Sequence, residues 1–283
     1  MEGLEAETSL MEELEAEISP IEGLEDVNIR PFVGIPNMRK MIKSEYDRLQ
    51  KGDTDQQYLV FKPVTVDDLT KIDRARGSIG HIRLAHYTDI GLLIVKIPTA
   101  EHESAHRSLG NRLICKAVRM GLPDGELHNV GATRFYGHKS SKEGDSAYRP
   151  YSLRLNKTDW PTIVIESAVS ESLRHLRFDA NWWLTKSGGD VKIIIIILVN
   201  RAQLTLQIEK WELGPRTGKL LLTLRSTQRI PTKMQEITID SNAVTGAPLI
   251  LEFDKIFLRP AVPPESDFIF TAQDFSTWAA RIW

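Results

Sequence analysis

The sequence predicts a mixed α/β fold, and three observations carry that reading. Short apolar runs of strand length alternate with stretches whose apolar residues recur at helix spacing, most regularly in the middle third of the chain. Hydrophobic residues make up 41% and charged residues 26% of the 283, which is enough to build a core and ordinary for a globular chain. The longest apolar run, Val191 to Val199, is broken by Lys192. It falls far short of the ~20 residues of a membrane helix and suits a buried strand.

Taken in order, Pro36 to Gly52 (PNMRKMIKSEYDRLQKG) reads as a basic amphipathic helix. Tyr58 to Pro63 is extended, Val66 to Arg76 a short helix, and Ile82 to Ile97 strand-like around the cluster Ile90-Gly91-Leu92-Leu93-Ile94-Val95. Thr99 caps a helix that runs to about Met120 and stops at Gly121 and Pro123. Asn129 to Gly137 is then a strand, Gly144-Asp145 opens a second through Ala147 to Leu155, and Pro161 to Val169 (PTIVIESAV) is a third. Ser170 to Lys186 is helical, with Leu173, Leu176, Ala180 and Trp183 on one face. Ser187-Gly188-Gly189-Asp190 turns the chain into the isoleucine strand, and Leu204 to Trp211 follows as a fifth. Residues 216–260 read as further β-hairpins and Asp274 to Trp283 as a closing helix. The order helix, three strands, helix, strand makes an α/β layer with one helical crossover.

A single cysteine, Cys115, excludes a disulfide framework. The acidic start, Met1-Glu2-Gly3-Leu4-Glu5, is unlike a signal or transit peptide, so an intracellular setting, nucleus or cytoplasm, is expected, with no membrane association. The net charge of −2 conceals a division: residues 1–27 carry ten acidic and no basic side chains, which leaves +8 on residues 28–283. The segment repeats MEGLEAE, MEELEAE and IEGLED, and like-charge repulsion predicts a solvated tail. A sharper expectation makes it an acidic arm that competes with a polyanionic partner for the basic body.

Two carboxylates stand out. Asp145 opens the second strand and Glu166 lies inside the very apolar third. Neighbouring strands run about 4.8 Å apart, so carboxylates at matching heights can converge on one hard cation. A lone carboxylate in PTIVIESAV is costly without a metal or a donor. The bland alternative places Glu166 at the solvent edge or pairs it with an arginine of the next helix.

The stretch GDSAYRP, followed by PTIVIESAVSESLRHLRFDANWWLTKSGGDVKIIIIILV, resembles the PD-(D/E)XK nuclease superfamily, the restriction-endonuclease-like fold. It is nearest to fungal members and to a bacterial family of restriction endonucleases assigned by sequence. The resemblance spans about residues 98–211. It implies a restriction-endonuclease-like core with extra N-terminal and C-terminal strands, and a Mg²⁺- or Mn²⁺-dependent endonuclease acting on nucleic acid, expected to be DNA. Asp145 matches the superfamily aspartate and Glu166 its acidic partner. The superfamily lysine belongs two residues later on the same strand face, where this chain has Ala168. The resemblance then implies a basic group from the following helix, Arg174 or Arg177, and a further metal ligand from the first helix, Glu103 or Glu101. Arginine can offset transition-state charge but accepts protons poorly.

A competing motif, His102-Glu103-Ser104-Ala105-His106, matches the H-E-x-x-H pattern of zinc metalloproteases on a predicted helix, with Glu126 as a conceivable third ligand. Its histidines share the face of Leu109, Leu113 and Ala117, which suggests a core position instead. The expected organisation is thus a tail (1–27), an N-terminal α/β extension (28–97), a nuclease-like core (98–211) and a C-terminal β-rich extension (212–283), with a homodimer allowed. The function expected is that of a nuclease or a nuclease-derived nucleic-acid-binding protein. The alternative is a catalytically inactive module that mediates protein contacts.

Overall fold

Strand alternation in the N-terminal part creates a sheet with two apolar faces, and that requirement organises the rest of the molecule. The computed structural model describes residues 19–169, 173–214 and 229–282. The tail sequence up to residue 18, the first residues of the helix read from Ser170, residues 215–228 of the expected hairpin region and Trp283 lie outside them.

The elements in chain order are β1 (Ile29–Pro31), α1 (Ile35–Lys51), β2 (Tyr58–Lys62), α2 (Val66–Arg74), α3 (Arg76–Ile79), β3 (Arg83–Tyr87) and β4 (Leu92–Lys96). The helix α1 closes on Gly52 in the left-handed conformation, φ 73°, and Thr65 opens α2 through a capping box with Asp68. The strand-like segment 82–97 is a hairpin, β3 against β4. There follow α4 (Ala100–Arg119), capped by the Thr99 hydroxyl as expected, β5 (Leu127–Asn129), β6 (Arg134–Gly137), β7 (Ser140–Glu143), β8 (Ser146–Pro150) and β9 (Ile163–Val169). The chain continues through α5 (Leu173–Lys186), β10 (Ile193–Asn200), β11 (Thr205–Gly214), β12 (Ile230–Ile239), β13 (Val244–Thr245), β14 (Leu249–Leu251), α6 (Phe253–Phe257), β15 (Phe268–Phe270) and α7 (Ala272–Ala279).

Among the described residues these strands form a six-stranded sheet, ordered β1-β2-β4-β3-β7-β6, a seven-stranded sheet, ordered β13-β12-β11-β10-β9-β8-β5, and the pair β14-β15. In the larger sheet β5, β8 and β9 are antiparallel neighbours, and α5 carries the chain over to β10, parallel to β9. The single strand expected over Asn129 to Gly137 is divided. Its start is β5, while β6 leaves for the smaller sheet and pairs there with β7. The reason is Gly131 at φ 58°, a left-handed turn that redirects the chain.

The side chains sort by alternation. On β2, Leu59 and Phe61 pack with Met38, Ile42, Leu69 and Ile72 of α1 and α2 on the outer face. Tyr58 and Val60 turn the other way, into a layer that also receives Val164, Ala168, Ile194 and Ile196 of the larger sheet. That inter-sheet layer holds α5, whose Leu176, Ala180 and Trp183 are buried in it. The far face of the larger sheet takes Ile163, Ile165 and the remaining isoleucines, covered by α4, α6 and α7. Residues 19–27, assigned by composition to the tail, are partly structural: Leu24 and Val27 are buried in the inter-sheet layer. No helix among the described residues is long and apolar enough to cross a membrane.

The helix α4 approaches β8 closely at Gly110, where an added Cβ would stand 1.8 Å from the Tyr148 hydroxyl. Overpacking of this kind costs about 1–3 kcal/mol. Gly110→Ala should therefore lower the unfolding free energy measured in urea by that much, despite alanine's better helix propensity, and Tyr148→Phe in the same chain should recover part of the loss. A Gly110→Ala protein as stable as wild type would show that the helix does not lie this close.

Candidate active site

The same alternation that builds the inter-sheet layer delivers charge into it. On β4, Leu92 and Ile94 face the layer and Leu93 and Val95 face outward, so Lys96 must face the layer. On β9, Val164 and Ala168 face the layer, so Glu166 does as well. Ser167 turns to the opposite side, where its hydroxyl donates to the carbonyl of His102 on α4. Asp145 comes from the connection between β7 and β8, where the chain crosses from one sheet to the other. Gly144 before it packs under the Trp183 indole, and a Cβ there would lie 3.1 Å from that ring.

These residues meet. The ammonium of Lys96 lies 2.7 Å from Asp145 Oδ2 and 3.7 Å from Glu166 Oε2. All three are buried, with exposures of 5% for Lys96, 3% for Asp145 and 1% for Glu166. Asp145 Oδ2 also accepts from the backbone amide of Ser167 at 2.9 Å and lies 3.0 Å from His102 Nε2. The indole of Trp183 donates to Glu166 Oε1 at 2.7 Å. A second buried pair lies beside this group, Lys142 with Asp179 at 2.6 Å.

The electrostatics separate the two carboxylates. Burial alone would raise Asp145, but His102 and the Lys96 ammonium hold it well below the ordinary carboxylate range. Burial, and then the charge of Asp145, push Glu166 up to about 8. Burial works against the charge on Lys96, yet Asp145 and Glu166 keep it above its ordinary value. At neutral pH the group is therefore one carboxylate, one carboxylic acid and one ammonium. Burial lowers His102 to about 4, so its imidazole is neutral.

The other residues read from the sequence are placed as follows. Arg177, on α5, pairs with Glu209 of β11, and Arg174 pairs with Glu22 and Glu25, so the structure brings neither guanidinium to the Asp145–Glu166 pair. The reason is local. The arginines flank the apolar stripe of α5, and each meets a carboxylate there: Glu209 on the interior strand β11, or Glu22 and Glu25 in the segment before β1. Ala168 is buried in the inter-sheet layer, two residues along from Glu166. Glu103 pairs with Arg83 and Arg107, and its Oε1 lies 3.6 Å from His106 Nε2. Glu101 is held by Arg201, and Glu126 accepts from the Ser152 hydroxyl at 2.6 Å. The H-E-x-x-H histidines are on a helix, as the pattern requires, and are buried against the sheet beside Asp145.

Lys96 was not read as a site residue. The signal was present in the sequence: Leu92-Leu93-Ile94-Val95-Lys96 buries a charge in an apolar strand just as PTIVIESAV does.

No family model matches the chain, and no curated protein matches it. Among solved structures, it is similar to a protein of the DUF820 family from Anabaena variabilis described as a candidate nuclease. The TM-score is 0.42 and the identity 13%, over 77% of this chain and 99% of that one.

The split between the carboxylates has a measurable sign in metal-free protein. A folded-state value above the unfolded one means that the folded chain keeps a proton the unfolded chain has lost. Glu166 thus favours folding at low pH and loses that contribution as pH rises towards about 8. His102 acts oppositely, its contribution growing as pH rises from about 4 to its unfolded value of 6.5. Above pH 6.5 only the Glu166 slope remains from this pair. Unfolding free energy should fall by about 1–2 kcal/mol between pH 6.5 and 8. Glu166→Gln should flatten that fall, and an unchanged slope in the variant would rule out Glu166 as its source.

Proposed function

We propose that the chain is a metal-dependent phosphodiester hydrolase of the PD-(D/E)XK kind, acting on nucleic acid through Asp145, Glu166 and Lys96. One observation carries this reading: an ammonium from a neighbouring sheet bridges the two carboxylates that the sequence motif singles out. It supplies the basic group whose usual position is Ala168. The succession of α4, the antiparallel strands β5, β8 and β9, then α5 and the parallel β10 supports the same reading. The +8 balance of residues 28–283 suits a polyanion, DNA being the favoured form.

The residues fit Mg²⁺ or Mn²⁺. Two carboxylates are the oxygen donors a hard cation prefers, and Asp145 Oδ1 is buried without a hydrogen-bond partner. Asp145 and Glu166 would hold the ion, which when bound would polarise a phosphate and acidify a water. The chain's own residues do the rest. Ser167 N–H and His102 fix the Asp145 carboxylate, and Trp183 fixes Glu166. Lys96, held above its ordinary value, keeps a positive charge where the negative charge of a phosphorane-like transition state would grow.

The burial of all three groups favours a second reading, a silent nuclease-fold module in which the ion pairs only hold the sheets together. Cleavage decides between the two. Wild type should nick plasmid, linear or single-stranded substrate in Mg²⁺ or Mn²⁺. Lys96→Met should lower the rate about 10²–10³-fold with substrate affinity nearly kept, whereas Arg177→Ala and Arg174→Ala should leave the rate within a few-fold. Absence of cleavage by wild type on every substrate would leave the silent module standing.

A further inference from the structure

We infer that His102, His106 and Asp145 form a binding site for an imidazole-preferring divalent ion, of which Zn²⁺ is the type, distinct from the Asp145–Glu166 pair and sharing only Asp145 with it. One ligand atom from each of the three residues can be chosen so that all lie within 4.8 Å of one another. Around one tetrahedral Zn²⁺, ligand atoms stand about 3.4 Å apart, so small side-chain rotations close the set.

The geometry favours this ion through the atoms left over. His106 Nδ1 lies within hydrogen-bond distance of the Ser146 hydroxyl, 2.7 Å; in the tautomer that donates there, Nε2 carries a lone pair. That Nε2 is buried without a hydrogen bond, and the Glu103 carboxylate stands 3.6 Å from it. A ligating histidine characteristically makes this arrangement, one ring nitrogen tied down and the other bare. Asp145 Oδ1 is likewise buried without a hydrogen bond, because Lys96, His102 and the Ser167 amide all lie on Oδ2; Arg83 Nε stands 3.9 Å from it. His102 Nε2 is 3.0 Å from Asp145, and its ring stands 5.0 Å from that of His106, centroid to centroid. A polar atom buried without a hydrogen bond calls for a partner. An ion entering the set would displace the proton between His102 Nε2 and Asp145 and release it to solvent.

The chemistry also discriminates. Two imidazoles and one carboxylate suit Zn²⁺ and its first-row neighbours, whereas Mg²⁺ prefers carboxylate and water oxygen. Spacing the histidines four apart on α4 puts both on the face turned to the sheet, and the β7–β8 crossing brings the carboxylate to meet them. A site this closed takes its ion as the chain folds, so occupancy registers in stability.

The test refolds the full chain with and without Zn²⁺ or Co²⁺, removes loose metal with a weak chelator, and counts bound ions by mass spectrometry. Wild type should retain one ion per chain, show Co²⁺ ligand-field bands and melt at a higher temperature when refolded with Zn²⁺. His102→Gln and His106→Gln should lose the bands and most of the affinity. Ser146→Ala, which removes the support of the His106 ring and a contact to Tyr148 but no proposed ligand, should weaken binding about 10–100-fold. Glu166→Gln should bind Zn²⁺ as wild type does. If the histidine variants do not fold, Ser146→Ala decides. The inference is overturned if wild type retains no ion, if Ser146→Ala binds as tightly as wild type, or if Glu166→Gln loses Zn²⁺ to the same extent as the histidine variants. Failure of cleavage with Zn²⁺ binding intact would count against the nuclease reading alone.

Discussion

The structure turns on one ammonium. Lys96 stands in a layer filled mostly with isoleucine, valine and tryptophan, beside the buried Lys142–Asp179 pair, and neither it nor the two carboxylates could occupy that layer alone. Removing one partner of such a buried pair costs about 3–5 kcal/mol, because the other charge stays behind without compensation. The two sheets are therefore committed to each other at this point. Lys96 comes from the smaller sheet, Glu166 from the larger, and Asp145 from the crossing between them. The apolar packing around them is non-directional, and this charged contact adds a directional tie between the sheets.

The same burial that makes the group costly makes it chemically uneven. Two carboxylates near one ammonium cannot both ionise cheaply in a low-dielectric layer, and the surroundings choose between them. Asp145 has the nearer ammonium and a backbone amide, so it keeps its charge. Glu166 has an indole and a longer contact to Lys96, and it keeps its proton. Paired carboxylates driven apart in this way recur where acid and base roles are divided.

Much of this was legible in the sequence because it is local. The helix opened by Thr99, the apolar third strand and the crossover into the isoleucine run all follow from periodicity and capping over short windows. Glu166 and Asp145 were legible for a similar reason, since a carboxylate in a buried strand needs an explanation. What was not legible is long-range. Nothing near Lys96 says that its strand will lie opposite Glu166, and the β6–β7 hairpin changes sheets at a turn that periodicity does not register. The resemblance points to a basic group from the following helix, but in the structure the guanidiniums of Arg177 and Arg174 meet the carboxylates of Glu209, Glu22 and Glu25.

The crossing at Gly144-Asp145 has a mechanical consequence. The chain runs from β7 in one sheet directly into β8 in the other, so no flexible linker separates the two layers there. Any sliding of one sheet over the other would be felt first as tension on Asp145, the residue that the ammonium, an imidazole and an amide all grip. The connection and the buried ion pairs thus join the two sheets at one point, the first through the chain and the second through charge.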